Sequence, residues 1–254
     1  MPGTEGIASL EEAGYASWPA EQEWRDDGFV IRLSPSLPYK RCSSLNFSLQ
    51  APAAPLSALM RARNAFSEAG VAFCVRQTPL TPPPLAALMD REGWPAHGHS
   101  HVMTTTLPVE AALAGNDVRA TDSFSPEWLD AYLSFSRAVR QRETFAGVLK
   151  RIVPPTVYLS IVRDGRIAAV GVMVRDGERA GLFGIAVDPA HKRRGYGECL
   201  SRYALRRAAR GGARLGWLQV EAANAPAIAL YRKIGFTTAY SYCYRTPPSH
   251  DAEP

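Results

Sequence analysis

The sequence predicts an α/β fold, and three observations support this prediction. Apolar runs and amphipathic stretches alternate along the second half of the chain. Turn dipeptides separate the apolar runs at Asp164-Gly165 and Asp176-Gly177. Hydrophobic residues make up 46% and charged residues 21% of the 254 residues, which is the composition of a globular protein rather than a disordered one.

The elements predicted for the second half follow one another through short turns. Ser125 precedes Pro126 and is expected to cap a helix whose first turn holds the proline. Gly211-Gly212 is a helix stop signal. In chain order, the predicted elements are a helix from Ser125-Pro126, a helix over about 138–152, strands over Val157–Val162, Ile167–Val174 and Ala180–Val187, a helix over about 195–210, a strand over 215–221, a helix over 225–234 and a strand over 237–245.

The first half repeats the order of the later elements of the second half. The predicted elements are strands over Phe29–Leu33 and Ser44–Leu49, a helix over Leu56–Ala69, a strand over Val71–Gln77, a helix over Leu85–Arg91 and a strand over His99–Leu107. Gly93-Trp94 stands before the last of these strands, as Gly235-Phe236 does in the second half. We therefore expect the first half to be a degenerate copy of the same fold.

Composition and cysteine placement limit the classes of protein. No run of eighteen apolar residues occurs, which argues against a membrane-spanning helix, and the acidic N-terminus lacks the apolar core of a secretion signal. Four scattered cysteines without a CxxC pair are typical of reduced cytoplasmic thiols. The formal net charge is +5, but no nucleic-acid-binding signature accompanies it. The sequence thus predicts a cytoplasmic protein that binds neither membranes nor nucleic acids.

The most informative stretch joins an apolar strand to a helix through a basic turn. It spans residues 182–200 and contains the segment Lys192-Arg193-Arg194-Gly195-Tyr196-Gly197. The first turn of a helix leaves backbone N–H groups without partners and carries partial positive charge from the helix dipole. The two glycines are expected to let the backbone approach a ligand, and three cations surround it. The turn therefore predicts a binding site for a pyrophosphate group.

Two common phosphate-binding motifs do not fit this turn. A Walker loop requires GxxxxGK[ST], which the sequence does not contain. A dinucleotide fingerprint requires a third glycine three residues after Gly197, where this chain has Leu200. We therefore expect another kind of pyrophosphate ligand.

The helix that follows the turn carries arginines on one face and apolar residues on the other. The arginines are Arg202, Arg206, Arg207 and Arg210, and the apolar residues are Leu200, Tyr203, Ala204 and Ala208. We interpret the basic face as a solvated surface beside an anionic cofactor.

Two segments resemble the GCN5-related N-acetyltransferase (GNAT) superfamily. Segment Lys192–Gly197 is similar to the family's cofactor signature [RQ]-x-x-G-x-[GA], with Lys192 in place of the usual Arg or Gln. Segment Leu218–Phe236 resembles the second half of the family's domain, which has an apolar strand, an asparagine, a helix with Leu-Tyr and a closing Gly-Phe. The residues in register are Asn224, Leu230, Tyr231, Gly235 and Phe236. Because two motifs at the right separation rarely coincide by chance, residues 118–245 are identified as a member of this family, in a tandem form with a degenerate N-terminal half.

The resemblance implies a fold and a division of the chain. The fold is a mixed, mostly antiparallel sheet flanked by helices, in which the strand ending at Val187 diverges from the strand at 215–221. Unpaired backbone between diverging strands favours a peptide-like ligand such as the pantetheine arm of coenzyme A. The implied division is a degenerate GNAT-like domain over 1–107, a linker over 108–124, a catalytic domain over 125–246 and a tail over 247–254.

The same resemblance assigns residues to the cosubstrate acetyl-CoA. The backbone of Ile185, Ala186 and Val187 would hold the pantetheine arm and the thioester carbonyl, while the Ile185 and Val187 side chains also pack in the core. Asn224 would meet the arm from the opposite strand. The pyrophosphate would be held by Lys192, Arg193, Arg194, Gly195, Tyr196, Gly197 and Glu198.

Two residues are candidates for proton transfer. Direct transfer of the acetyl group needs a proton to be removed from the amine, because an ammonium group cannot attack a thioester. By resemblance, Tyr231 would protonate the leaving thiolate; the alternative is an aromatic residue packed against the sheet. Related ribosomal-protein alanine acetyltransferases have a Glu at the position of Gln219. Glu221 lies on the same face of the same strand and could act as the base, directly or through water. It could instead be a solvated carboxylate or orient Asn224.

Three alternating histidines, His97, His99 and His101, would share one face of a strand. Residues on one strand face are about 7 Å apart, too far for three ligands of one tetrahedral zinc ion. No metal is therefore expected.

The resemblance implies an acetyl-CoA-dependent N-acetyltransferase that moves the acetyl group directly to a primary amine of a small molecule or peptide. The acceptor is unidentified; it is expected to lie against the helices of 126–152 and the tyrosines of the last strand, Tyr240, Tyr242 and Tyr244. Two alternatives stay open: a non-catalytic CoA-binding sensor or scaffold, favoured by Lys192 and Gln219, and a transferase that uses a different acyl-CoA. The chain is expected to be a monomer or homodimer.

Overall fold

The computed structural model describes residues 2–37, 39–50, 52–109, 117–136 and 142–248. Parts of the predicted linker, the predicted 138–152 helix and the predicted tail lie outside the described residues. The helices are α1 Thr4–Ser17, α2 Pro55–Glu68, α3 Pro83–Arg91, α4 Pro126–Phe135, α5 Arg142–Lys150, α6 Tyr196–Arg210 and α7 Ala225–Ile234. The strands are β1 Gln22–Asp26, β2 Phe29–Leu33, β3 Ser44–Phe47, β4 Val75–Gln77, β5 Ala96–Thr106, β6 Val118–Thr121, β7 Thr156–Arg163, β8 Arg166–Asp176, β9 Arg179–Val187, β10 Leu215–Glu221 and β11 Thr237–Arg245.

The chain divides into two compact units that do not follow sequence order. The first unit contains the residues up to His101 and those from Tyr240 onward, and the second contains Val102–Ala239. The last strand, β11, therefore contributes residues to both units.

In the first unit, β1, β2 and β3 form an antiparallel meander and β3 pairs in parallel with β4. Strand β11 then pairs antiparallel with β4, with Cys243 opposite Gln77. Helices α2 and α3 bury apolar side chains in the core of this unit, together with β2 and β3. These helical residues are Ala58, Leu59, Ala62, Phe66, Leu85 and Met89.

Three elements were not predicted, and their sequences explain why. Helix α1 buries Glu11, Gly14 and Ser17 beside its apolar residues, so its hydrophobic pattern does not mark one face. Strand β1 is an almost fully exposed edge strand without apolar alternation. Strand β6 has only four residues, and it lies inside the segment predicted to be a linker.

In the second unit the strand order is β5-β10-β9-β8-β7-β6. Strands β6 to β9 pair antiparallel, and β9 pairs in parallel with β10. The structure confirms the predicted mixed, mostly antiparallel sheet flanked by helices. Helices α4, α6 and α7 form where the sequence predicted them.

Helix α6 supplies much of the core of the second unit. Its apolar face buries Leu200, Ala204, Leu205 and Ala208 against strands β8 and β9. Each buried leucine contributes about 1.5–3 kcal/mol relative to an exposed one. The apolar face therefore fixes the position of the helix N-terminus.

Two features are absent from the residues that the structure describes. Within those ranges, no helix is both long and apolar enough to cross a bilayer. The same residues contain no group of three or more His, Cys, Asp or Glu side chains arranged to hold a metal ion.

Candidate active site

The central feature of the second unit is a gap between two parallel strands. The ladder between β9 and β10 ends at the pair Leu182–Leu218, although β9 continues to Val187 and β10 to Glu221. Ile185, Ala186 and Val187 are half-exposed in this unpaired part of β9, whose other edge pairs with β8. This geometry confirms the predicted divergence and leaves backbone polar groups available to a ligand.

A bulge in β9 lies at the start of the gap. Between the pairs Val170–Ala186 and Val172–Phe183, two residues of β9 oppose one residue of β8. One of them, Gly184, has a left-handed φ of 56°. A bulge bends a strand and redirects its polar groups, and bulges often occur beside active sites.

The ring of Tyr132 on α4 covers this bulge. A Cβ atom at Gly184 would lie 3.1 Å from the Tyr132 hydroxyl oxygen and still closer to Cε2 of the ring. Tyr132 itself is stacked between Trp128 and Phe145, with centroid separations of 5.6 and 4.6 Å. The sequence prediction missed this contact, although an isolated glycine within a strand is a signal for a bulge.

The basic turn connects β9 to α6 through strained backbone. Arg193 has a left-handed φ of 61°, and Gly195, the residue before α6, has a φ of 77°. A non-glycine residue in this region is uncommon, and such strain clusters at ligand-binding sites. Left-handed residues in a turn are also a feature of anion-binding concavities.

The three cations of the turn face solvent. Lys192, Arg193 and Arg194 are exposed, and none forms an ion pair with a carboxylate among the described residues. The turn is preceded by a 3₁₀ turn over Pro189–His191, where the Asp188 carboxylate accepts a hydrogen bond from the Ala190 N–H at 2.9 Å. Three charges beside the helix N-terminus suit an anionic group.

Gly197, which was expected to let the backbone approach a ligand, also lies close to other elements of the protein on the side where a Cβ atom would stand. A Cβ atom there would lie 3.3 Å from Leu230 Cδ1, 3.7 Å from Ile185 Cγ2 and 3.9 Å from Val187 Cγ2. Gly197 thus lets the first turn of α6 approach both α7 and the free end of β9.

Tyr196 lies buried in the first turn of α6. The guanidinium carbon of Arg163 is 5.2 Å from the centroid of its ring, and the His191 ring stacks at 6.1 Å. These contacts support the turn from the side of β7.

Glu198 is buried and forms two ion pairs. Its carboxylate accepts hydrogen bonds from Lys233 Nζ at 2.7 Å and Arg202 Nε at 3.0 Å. The hydrogen bond from Lys233 contributes most to lowering the pKa of Glu198 below its usual value, and Arg202 adds to it. The side chain of Glu198 therefore links α6 to α7, which leaves only its backbone N–H for the predicted cofactor.

Tyr231 lies on α7, next to Leu230. Its ring packs edge to face on Phe236 with centroids 5.8 Å apart, and it borders the same core cluster as Ile185 and Val187. Burial raises the pKa of its hydroxyl to about 12, so the phenol carries its proton at neutral pH. Among the described residues, none forms a hydrogen bond with this hydroxyl.

Asn224 and Glu221 lie where β10 leads into α7. The Asn224 side chain caps α7 by accepting a hydrogen bond from the Ala227 N–H at 3.2 Å. The backbone N–H of Asn224 donates to the Glu221 carbonyl at 2.9 Å. The Glu221 side chain is exposed, and no described residue pairs with its carboxylate. The contact between the two residues is therefore made by backbone and not by the carboxylate.

Two interpretations of the sequence are corrected here. Arg202 is buried against Glu198 rather than solvated. Tyr240, Tyr242 and Tyr244, expected to border the acceptor, are buried within the first unit. There Tyr240 donates to Glu11 Oε1 at 2.6 Å, and Arg76 pairs with the same carboxylate at 2.7 Å.

Comparison with known proteins identifies the class to which this site belongs. Residues 120–236 match the model of the Acetyltransferase (GNAT) family, so this region of the chain belongs to that family, as the motifs indicated.

Individual relatives agree with the class. A [ribosomal protein bS18]-alanine N-acetyltransferase of Escherichia coli K12 is 38% identical over 79 residues, which is 31% of this chain and 53% of that protein. The chain thus spans about half the length of the curated relatives it matches first.

Solved structures resemble nearly the whole chain. A GCN5-related N-acetyltransferase from Kribbella flavida has a TM-score of 0.71 and 21% identity, covering 99% of this chain and 98% of its own. A tandem GNAT protein from the clavulanic acid biosynthesis pathway has a TM-score of 0.67 and 15% identity, covering 94% and 88%. At these identities the likeness concerns the fold, and it agrees with two related halves.

Proposed function

We propose that this chain transfers the acetyl group of acetyl-CoA directly to a primary amine. One observation carries the proposal: the free end of β9, the N-terminus of α6 and the tyrosine-bearing helix α7 converge at Gly197. A strand edge without a partner, beside an anion site, suits a ligand that has amide groups at one end and phosphates at the other.

The residues fit coenzyme A in two parts. The backbone of Ile185–Val187 would pair with the pantetheine amides, and the amides of 193–198 with Lys192, Arg193 and Arg194 would hold the pyrophosphate. Asn224 would meet the pantetheine arm from the side of β10 while it caps α7. Acetyl-CoA supplies the activated acetyl carbonyl when bound.

The proposed chemistry needs two proton transfers. The amine nitrogen forms a bond to the acetyl carbon, and the carbon–sulfur bond breaks. Tyr231 donates its proton to the departing sulfur, and its high pKa keeps it protonated until then. The proton of the amine passes to Glu221, directly or through water.

The test of this function is thiol release from acetyl-CoA in the presence of a panel of amines, including a peptide with an N-terminal alanine. Amine-dependent thiol release supports transfer. Coenzyme A binding without thiol release in the presence of any amine would instead support a non-catalytic CoA-binding sensor, the alternative that Lys192 and Gln219 favour. Faster release from succinyl-CoA or a longer acyl-CoA would support a different acyl donor.

Two substitutions test the assigned roles. Tyr231→Phe should lower kcat at least about tenfold with little change in coenzyme A affinity, because general acid catalysis contributes roughly 10²–10⁴-fold. Tyr203→Phe, on the half-buried tyrosine of α6, is the matched control and should leave kcat unchanged. Glu221→Gln should remove a pH-dependent rise in rate, and an unchanged pH profile would exclude Glu221 as the base.

We further infer that the first unit is a degenerate relative without a cofactor site of its own. Its nearest counterpart of the basic turn, Tyr39-Lys40-Arg41-Cys42, has no glycine, and none of these four residues has a left-handed φ. Calorimetry should give one coenzyme A per chain, and two sites would contradict the inference.

A further inference from the structure

A second concave site lies on the second unit, at the C-terminal half of α6. It is a cavity of about 1270 Å³. Arg206, Arg207 and Arg210 of α6 line one wall, and Arg175 of β8 and Lys150 of α5 line others. Arg206, Arg207 and Arg210 belong to the basic face of α6, which was expected to be a solvated surface beside an anionic cofactor.

This cavity is separate from the proposed cofactor site. Helix α6 has 15 residues, and at 1.5 Å per residue its two ends are about 20 Å apart. The basic turn precedes the first end, whereas the cavity reaches Gly211 at the other. A ligand of one site would not neutralise the charges of the other, because charges beyond about 8–10 Å are largely screened.

The positive charge of the cavity lacks a protein counter-ion. Its five cations face one lining carboxylate, Asp122. None of the five forms an ion pair with a carboxylate among the described residues, whereas the neighbours Arg202 and Arg214 pair with Glu198 and Glu178. The negative end of the helix dipole offsets only about half a charge here. The cavity therefore attracts an anion.

The remaining lining is largely aliphatic and indicates the kind of anion. Ile152, Val153, Pro154, Pro155 and Met173 contribute to it, and Val153 is 92% exposed. Because the cations lie on several walls of the cavity, a ligand that pairs with them needs several separated negative groups. The volume also exceeds the roughly 300–1,000 Å³ of typical small-molecule pockets.

The aromatic side chains that line the cavity argue against nucleic acid as its ligand. Single-stranded nucleic acids bind through bases stacked on free aromatic faces. Phe124 and Tyr158 instead pack on each other and on Trp128, with Tyr158 5.3 Å from each of the other two rings. The third aromatic lining residue, Tyr203, is half-buried and packs against the core of the second unit. We propose that the cavity binds an acidic peptide segment, with carboxylates on the arginine forks and an apolar side chain on the aliphatic floor.

The test is fluorescence anisotropy with a labelled twelve-residue peptide of alternating Glu and Leu, measured at low and at 0.5 M salt. The matched peptide has Gln in place of Glu, and an oligouridylate of equal charge is the nucleic-acid probe. Binding of the Glu peptide at least tenfold tighter than the Gln peptide, weakened by salt, supports the proposal. Equal binding of the two peptides, or tighter binding of the oligouridylate, overturns it.

Variants locate the binding. Arg206→Ala with Arg210→Ala should weaken binding of the Glu peptide at least tenfold, and Arg207→Lys should weaken it a few-fold because lysine keeps the charge but loses the fork. Arg166→Ala, at the exposed first residue of β8, is the matched control and should bind as the wild type does. Unchanged binding by the double variant overturns the assignment. So does displacement of the peptide by saturating coenzyme A, which would place it in the other site.

Discussion

Substitution of Gly184 by alanine tests the bulge at the start of the strand gap. Two features of this position oppose a side chain. The backbone is left-handed, with a φ of 56°, and the added methyl group would meet the ring of Tyr132. The prediction is that Gly184→Ala destabilises the second unit and weakens coenzyme A binding.

The magnitude follows from the two features. The left-handed backbone costs about 1–2 kcal/mol for a residue with a Cβ atom. Overpacking against a stacked ring costs about 1–3 kcal/mol more. Gly184→Ala should therefore lower the free energy of unfolding by about 2–5 kcal/mol.

The chain offers a matched control for the backbone contribution. Gly177 has a φ of 55°, and a Cβ atom there would have no neighbour within 4 Å. Gly177→Ala should thus cost only about 1–2 kcal/mol. The difference between the two variants isolates the contact with Tyr132.

Urea unfolding of both variants provides the measurement, with coenzyme A titrations on the folded proteins. In a Tyr132→Leu background the excess cost of Gly184→Ala should shrink, since the obstructing ring is gone. If both glycine variants lost the same stability in the wild-type background, the close approach of Tyr132 to the bulge would be wrong.

Three further predictions concern Glu198, Gly195 and Tyr240. Glu198→Gln should lower the free energy of unfolding by about 1.5–3 kcal/mol at pH 7, because Lys233 and Arg202 lose a charged acceptor. The pKa of Glu198 is lowered in the folded protein. The stability that its ion pairs contribute is therefore present above the usual carboxyl pKa of about 4.3, and it is lost as the pH falls through the lowered pKa of the folded state. Urea midpoints at pH 7 and 3.5 should show the gap to wild type closing in acid, and a constant gap would argue against the ion pairs. Gly195→Val should weaken coenzyme A binding at least tenfold in calorimetry, whereas Gly212→Val, also left-handed at a φ of 94° but in open space, should not. Tyr240→Phe should destabilise the first unit by about 1–3 kcal/mol, because the Glu11 carboxylate loses a buried hydrogen-bond donor. Thiol release from acetyl-CoA should stay unchanged. A loss of acetyl transfer without a loss of stability would contradict this structural role of Tyr240.

The sequence predicted the second unit well because its signals were local. Apolar runs bounded by Asp-Gly and Gly-Gly pairs marked strands β7 to β9 and the end of α6. The glycine turn and the Leu-Tyr helix marked the two elements that meet at Gly197.

The remaining features depend on contacts between distant residues. Glu198 lies in the anion motif, but only the fold brings Lys233 to it, 35 positions later. Helix α1 buries Glu11 because Arg76 and Tyr240 reach it from 65 and 229 positions away. The basic face of α6 looked uniform in sequence, yet its first arginine is buried in an ion pair and the later ones line a separate cavity.

Hydrogen exchange with and without coenzyme A is the most direct test of the strand gap as the cofactor site. Backbone amides that gain a partner exchange more slowly, so coenzyme A should protect 185–187 and 193–198 selectively. Protection confined to other segments, or no change at these amides under saturating ligand, would contradict the account.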